Sequence, residues 1–106
     1  MDELMLLPFN PDTGRLILTS SSLDFDSAET VAESFFNLIG ATVKEKQLDA
    51  DLLSWLIDFE GCQLMAKAEH YSASLWLETM GETGLEELLF LSQWLPGRAG
   101  IQIASF

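Results

Sequence analysis

The chain has 106 residues, 48% of them hydrophobic, and is therefore long and apolar enough to fold around one core as a single domain, residues 1–106. Five lysine and arginine residues stand against seventeen acidic ones, which gives a net charge of −12 at pH 7. That balance excludes a nucleic-acid or anionic-membrane surface, because five cations spread from Arg15 to Arg98 form no basic patch. A basic partner would be attracted from a distance, and the alternative is that the charge serves only as a solubilising surface.

The first predicted element is a β-hairpin at the N-terminus. The apolar runs Leu4–Leu7 and Arg15–Thr19 flank "NPDTG", a strong turn signal in which proline presets φ and glycine accepts positive φ. Pro8 keeps the first of these strands short or places it at a sheet edge.

A helix is predicted over about residues 27–39, within "DSAETVAESFFNLIG". Apolar residues recur there at helical spacing, and Gly40 follows where a left-handed residue ends many helices. Asp26 is the expected N-cap, with Glu29 three residues later completing a capping box. The next segment, "ATVKEKQ", has the composition of a short and mostly solvated strand.

A three-stranded meander is predicted around residues 53–78. Glu60-Gly61 fits a two-residue hairpin loop, since glycine tolerates the positive φ that such turns need. A slip of one residue would mix the two faces of the sheet, so the register about this loop is strongly specified. The expected apolar pairs on one face are Phe59 with Cys62, Ile57 with Leu64, Trp55 with Ala66, and Leu53 with Ala68.

The third strand of the meander is predicted after an even-length loop around residues 69–70. Alternate residues from Tyr71 to Leu77 would then share the buried face with the second strand. Trp76 would point to the other face. Its neighbour there would be Gln63 or Met65, depending on the loop length.

A second helix is predicted over about residues 84–95, where "TGLEELLFLSQWLPG" ends in a Pro-Gly stop signal. Thr83 and Glu86 stand three residues apart at its start, as in a capping box. Its leucines and tryptophan give it an apolar face that is wide enough to touch more than one surface. The tail "GIQIASF" alternates in part and is expected to add a final strand.

Together these elements predict a two-layer α+β sandwich with a predominantly antiparallel sheet, which combines the hairpin with the meander, and two helices on one face. No stretch approaches the ~20 apolar residues of a membrane span. The N-terminal apolar run stops at Phe9, short of a signal sequence, and the lone Cys62 forms no intramolecular disulfide. We therefore expect a cytoplasmic protein.

The reactive side chains of the meander are predicted to diverge rather than to form a catalytic site. Cys62 and His70 lie near opposite ends of a strand, roughly 25 Å apart at ~3.3 Å per residue, too far for a nucleophile and its base. One cysteine and one histidine do not predict zinc, and the acids of "DFDSAE" lack the central glycine of a calcium loop. We expect no catalytic residue, cofactor or metal, although a pair of carboxylates acting as acid and base stays an open alternative.

An interaction patch is predicted on the other face of the meander. Leu56, Met65 and Trp76 occupy alternate-face positions on three neighbouring strands, and Asp58, Gln63, Lys67 and Glu78 stand at their rim. A tryptophan-centred apolar patch with a polar rim is typical of a protein-binding hot spot. Two outcomes stay open. Either a partner or a second copy binds the patch, or the N-terminal hairpin or the C-terminal tail covers it.

The segment from Val43 to Glu78 contains "VKEKQLDAD", "WLIDFEGCQL" and "HYSASLWLE". It resembles an uncharacterised family of short bacterial proteins that is classed as a domain of unknown function. The resemblance implies a small bacterial α+β protein without an assigned activity, so it transfers no catalytic residue. The helix–meander–helix order and the acidity are also loosely similar to type III secretion chaperones, but those start with a helix instead of a hairpin.

The leading functional hypothesis is a non-catalytic, acidic protein-interaction module that binds a protein partner or itself as a homodimer. One alternative is an enzyme or small-ligand binder that uses surface carboxylates in a cleft between the sheet and a loop. Another is an acidic decoy, immunity or secretion-chaperone-like protein, whose binding to a basic partner would depend strongly on salt.

Overall fold

The computed structural model describes residues 4–20, 23–24, 26–49, 52–98 and 100–103. Within these ranges the chain forms one sheet of seven strands and two α-helices, which confirms the predicted α+β class. The strands are β1 Leu4–Leu6, β2 Arg15–Thr19, β3 Thr42–Leu48, β4 Leu53–Phe59, β5 Cys62–Glu69, β6 Ser74–Glu78 and β7 Ile101–Ile103. The helices are α1 Ala28–Ile39 and α2 Leu85–Trp94.

The strand order is β3-β4-β5-β6-β2-β1-β7, and every neighbouring pair is antiparallel except β1 with β7, which run parallel. The sheet is therefore mixed and mostly antiparallel. The predicted three-stranded meander gains β3 as a fourth strand at one edge. The N-terminal hairpin joins the meander through the pairing of β2 with β6, so the hairpin extends the same sheet.

The predicted register of the β4–β5 hairpin is confirmed along its whole length, from Phe59 opposite Cys62 to Leu53 opposite Ala68. Its loop residues Glu60 and Gly61 have φ of 54° and 81°, the two positive angles of a type I′ turn. The backbone N–H of Gly61 donates to the Asp58 carboxylate at 3.0 Å and closes the loop.

The hydrophobic core lies between the sheet and the helices, because side chains on one face of the sheet are buried while their neighbours along each strand are not. Helix α1 contacts β3, β4 and β5, and α2 contacts β2, so both helices lie on that face. Neither helix has the length and apolar content needed to cross a bilayer, as far as the described residues go. The largest fully buried side chains are Trp55, Phe35, Phe36, Leu16, Leu18, Leu23, Ile57, Leu64, Leu75, Leu77, Leu88 and Leu91.

The last strand of the meander begins later than predicted. Tyr71 does not reach the buried face but is 76% exposed in the turn between β5 and β6, where its ring lies 4.1 Å from that of His70. Ala73 has a φ of 52°, and a non-glycine residue with this left-handed backbone interrupts a strand. Strand β6 therefore starts only at Ser74.

The N-termini of the helices also differ from prediction. Asp26 does not cap α1; instead the Asp24 carboxylate accepts the backbone N–H groups of Asp26 and Ser27 at 3.0 and 2.9 Å. These bonds hold the pKa of Asp24 below its usual value, because they favour the ionised carboxylate. At α2 the N-cap position belongs to Gly84 rather than Thr83, and no side chain caps that helix.

Candidate functional site

The helix-free face of the sheet is the surface on which the predicted patch residues lie. Leu56 on β4 is directly opposite Met65 on β5, and Met65 is opposite Glu78 on β6. Asp58 lies one pleat further along β4, on the same face. Four of the five predicted residues therefore lie in two adjacent cross-strand rows. One row contains Leu56, Met65 and Glu78, and the next contains Asp58.

Trp76, the fifth predicted residue, lies on the same face but in a different row from the one expected. It stands opposite Lys67 on β5 and opposite Ile17 on β2, not opposite Gln63 or Met65. The length of the β5–β6 turn sets this register. Trp76 and Met65 are diagonal neighbours, close enough for large side chains to touch.

Two charged side chains contact the indole of Trp76, and a third holds one of them in place. Its Nε1 donates to Glu78 Oε1 at 2.7 Å, and Lys67 Nζ lies 3.3 Å from the same oxygen. On the other side the Arg15 guanidinium carbon lies 5.9 Å from the centre of the ring, within the range of a cation–π interaction. Because these contacts fix the ring, it would lose little conformational freedom on binding.

Sequence reasoning missed Arg15 and Ile17 as members of this surface. Both belong to the N-terminal hairpin, and the pairing of β2 with β6 brings them next to Trp76. The hairpin was one of the two predicted internal covers of the patch. In the structure, β1 and β2 lie beside β6 in the plane of the sheet, so they do not cover it. The other predicted cover, the tail, lies outside the described residues after residue 103.

Several acidic side chains on the face of the patch belong to no ion pair within the described residues. Within the described residues the ion pairs join Lys46 to Glu29 and Glu33, and Lys67 to Glu78. The Lys46 pairs lie on the helix side, where α1 contacts β3, and they raise the pKa of the lysine above its usual value. On the helix-free face the carboxylates of Asp58, Glu45 and Glu69 take part in none of these pairs.

Cys62 and His70 do not form a catalytic pair. Cys62 begins β5 and His70 follows the last residue of that strand, so the strand separates the thiol from the imidazole. Cys62 packs against the core, and burial raises the pKa of its thiol. The nearby carboxylate of Glu87 raises it further, followed by that of Asp58. A protonated thiol is a poor nucleophile.

We expect Cys62 to react with iodoacetamide more slowly in the folded protein than in the urea-unfolded chain at about pH 8, because its raised pKa keeps the thiol protonated. The reaction should accelerate only as the pH rises through that pKa. Glu87→Gln removes one cause of the shift and should speed alkylation, whereas Asp12→Asn, a remote change of the same kind, should not. Mass spectrometry of timed samples measures the rates, and equal rates for folded and unfolded chain would contradict the assignment.

The structure offers little for metal or carboxylate chemistry within the described residues. No group of three or more histidine, cysteine, aspartate and glutamate side chains converges there. A surface groove of about 490 Å³ lies between α1 and β3, but Glu33 is the one carboxylate among its lining residues, and that carboxylate is paired with Lys46. The groove therefore has no carboxylate pair for acid–base work.

The fold defines a class, the small two-layer α+β proteins in which helices cover one face of a mostly antiparallel sheet. The chain belongs to the family described as "Protein of unknown function (DUF3630)", whose model matches residues 4–96. This confirms the predicted resemblance to a family of unknown function and extends it well beyond Val43–Glu78. No curated protein and no solved structure matches the chain significantly.

Proposed function

We propose that the protein is a non-catalytic binding module whose helix-free sheet face binds a basic protein. One observation carries the proposal. Leu56, Met65 and Trp76 lie close together on that face, and the carboxylates of Asp58, Glu45 and Glu69 lie on the same face outside the ion pairs.

The apolar centre would supply the binding energy. Tryptophan is among the residues that dominate binding when they are buried at the centre of an interface. The hydrogen bond of the Trp76 indole to Glu78 satisfies the one polar group of that side chain, so a partner could desolvate the indole without leaving its N–H unpaired. Leu56 and Met65 are partly exposed beside it, so a partner could desolvate all three side chains together.

The charge selects the partner. A net charge of −12 produces a strongly negative surface potential, which accelerates the approach of cationic proteins and slows that of anionic ones. Asp58, Glu45 and Glu69 lie on the same face as Trp76, where they would meet lysine or arginine side chains of the partner. We place this encounter in the cytoplasm, where a lone thiol such as that of Cys62 stays reduced.

The test uses the immobilised chain to capture proteins from an extract of the cells that express it, at about 50 mM and about 500 mM NaCl. Each captured protein is then purified, and its affinity is measured by isothermal titration calorimetry. The chains compared are wild type, Trp76→Ser and Tyr71→Ser. Tyr71 is a matched control because it is an exposed aromatic residue in the β5–β6 turn.

We expect a basic partner whose affinity falls about 30-fold or more with Trp76→Ser, the ~2 kcal/mol loss that defines a hot spot. Tyr71→Ser should bind like wild type, and the higher salt concentration should weaken binding, chiefly by slowing association. A partner that binds Trp76→Ser as tightly as wild type would refute the proposal. Failure to capture any protein at the lower salt concentration would also refute it.

A further inference from the structure

Helix α2 has apolar side chains around its circumference, although the chain buries only one side of it. Leu88 and Leu91 are fully buried against the sheet. On the outward side Leu89 is 45% exposed and Phe90 is 50% exposed. The outward side also contains Glu86 and Gln93, but two large apolar side chains there are unusual, because the outward side of a surface helix is normally polar. The outward side of α2 is therefore a surface that lacks its cover within the described residues.

The outward side of α2 consists of Glu86, Leu89, Phe90 and Gln93, which follow the i, i+3, i+4, i+7 spacing of one helical face. We call these four residues the α2 face. The ring of Phe90 packs against that of Phe59, with 6.2 Å between the ring centres, and this contact holds the exposed ring in place. This face is separate from the Trp76 patch, which lies on the opposite side of the sheet.

Opposite charges flank the α2 face at its two ends. Glu86 is exposed in the first turn. At the other end Arg98 folds back over Trp94, with its guanidinium carbon 4.2 Å from the ring and its Nε donating to the Trp94 carbonyl at 3.1 Å. The positive charge is thereby held at the level of the last helical turn. Neither Glu86 nor Arg98 belongs to any of the ion pairs among the described residues.

We propose that a second copy of the chain covers the α2 face, with the two α2 helices antiparallel across a two-fold axis at Phe90. Glu86 and Trp94 are each four residues from Phe90, or about 6 Å at 1.5 Å per residue. An axis at Phe90 therefore places Glu86 of each copy opposite Arg98 of the other, which gives two equivalent ion pairs. Phe90 meets Phe90 at the centre, with Leu89 beside it. An antiparallel pair also sets opposite helix dipoles side by side.

The surface next to the α2 face supplies the remaining area. Stable interfaces bury roughly 800 Å² per partner, which is more than two side chains provide. Beside Leu89 a groove of about 300 Å³ lies between α2, the segment after β1 and the end of β7. Its lining is mainly apolar and includes Ile103, which is 60% exposed. Leu85, four residues before Leu89 and 41% exposed, continues the same apolar area.

Sedimentation velocity over about 10 µM to about 1 mM protein tests this dimer, a range that covers dissociation constants typical of weak self-association. We expect wild type to dimerise and Leu89→Asp to stay monomeric. The control is Leu48→Asp, at the edge strand β3, because Leu48 is exposed to a similar extent, 48%, and lies away from α2. It should dimerise like wild type. Circular dichroism checks that each variant is folded.

Charge reversal tests the antiparallel arrangement. Glu86→Arg and Arg98→Glu should each raise the dimer dissociation constant about tenfold or more, because each places like charges opposite one another twice. The double variant restores opposite charges and should recover most of the affinity. Wild type that stays monomeric, or a dimer that Leu89→Asp leaves intact, would overturn the proposal. A double variant that dimerises as weakly as the single variants would overturn it as well. A dimer abolished only by Trp76→Ser would also overturn it, because the interface would then lie on the sheet.

Discussion

Replacing Trp55 with alanine is expected to lower the free energy of unfolding by about 3–5 kcal/mol, the usual cost of removing a large aromatic side chain from a core. Trp55 is 0% exposed at the centre of β4. Its ring packs edge-on against that of Phe36 on α1, with 5.3 Å between the centres and 74° between the planes. The side chain therefore joins the sheet to the helix layer, and alanine would leave a cavity at that junction.

Trp55→Phe is the matched variant for this experiment. In the described part of the chain the Trp55 indole nitrogen is buried and has no hydrogen-bond partner. A buried unpaired donor costs about 1–3 kcal/mol, so removing it offsets part of the lost ring contact. Urea unfolding followed by circular dichroism should show Trp55→Phe losing less than half of what Trp55→Ala loses. A loss below about 1 kcal/mol for Trp55→Ala would contradict the central position of the ring.

The register of the β4–β5 hairpin could be predicted because two local signals agree. The loop Glu60-Gly61 and the alternation of apolar residues both require the same pairing, and the structure has that pairing. The start of β6 could not be predicted in the same way. Its alternating pattern extends back to Tyr71, but the positive φ of Ala73 prevents the strand from beginning before Ser74. Alanine gives no local signal for that conformation.

The candidate patch shows the same division between local and long-range information. Alternation alone assigns Leu56, Met65 and Trp76 to one face, since side chains in a strand point alternately to its two sides. The row in which Trp76 lies depends on the length of the preceding turn. The approach of Arg15 depends on which strand β6 pairs with, a choice made by tertiary packing. Neither could be read from the sequence near Trp76.

The parallel pairing of β7 with β1 was also beyond sequence reasoning, because a strand of three residues carries almost no pattern of its own. The breadth of the apolar face of α2, in contrast, was visible in its leucines. That breadth predicted contact with more than one surface, and within the described residues the sheet covers only the side that contains Leu88 and Leu91. The mismatch between the sequence pattern and the burial is what identifies the α2 face.

Replacing Gly84 with alanine is expected to destabilise the fold by about 3 kcal/mol, the sum of a backbone cost and a packing cost. Gly84 begins α2 with a φ of 108°, a conformation that residues with a Cβ rarely adopt. An added Cβ would also lie 2.7 Å from Cδ2 of Leu64. Leu64 is 0% exposed, and a close-packed core leaves its side chain little room to move away.

Three further variants, Gly61→Ala, Leu64→Ala and the double variant of Gly84→Ala with Leu64→Ala, separate the costs at Gly84. Gly61→Ala has a comparable φ of 81° but no atom within 4 Å of the added Cβ, so it should show the backbone cost alone, about 1 kcal/mol. Leu64→Ala in the Gly84→Ala background removes the clash, so the double variant should lose less stability than the sum of the two single losses. Urea unfolding measures the stability of wild type and of the four variants. Strict additivity, or equal losses for Gly84→Ala and Gly61→Ala, would show that α2 does not start in contact with β5 as the structure has it.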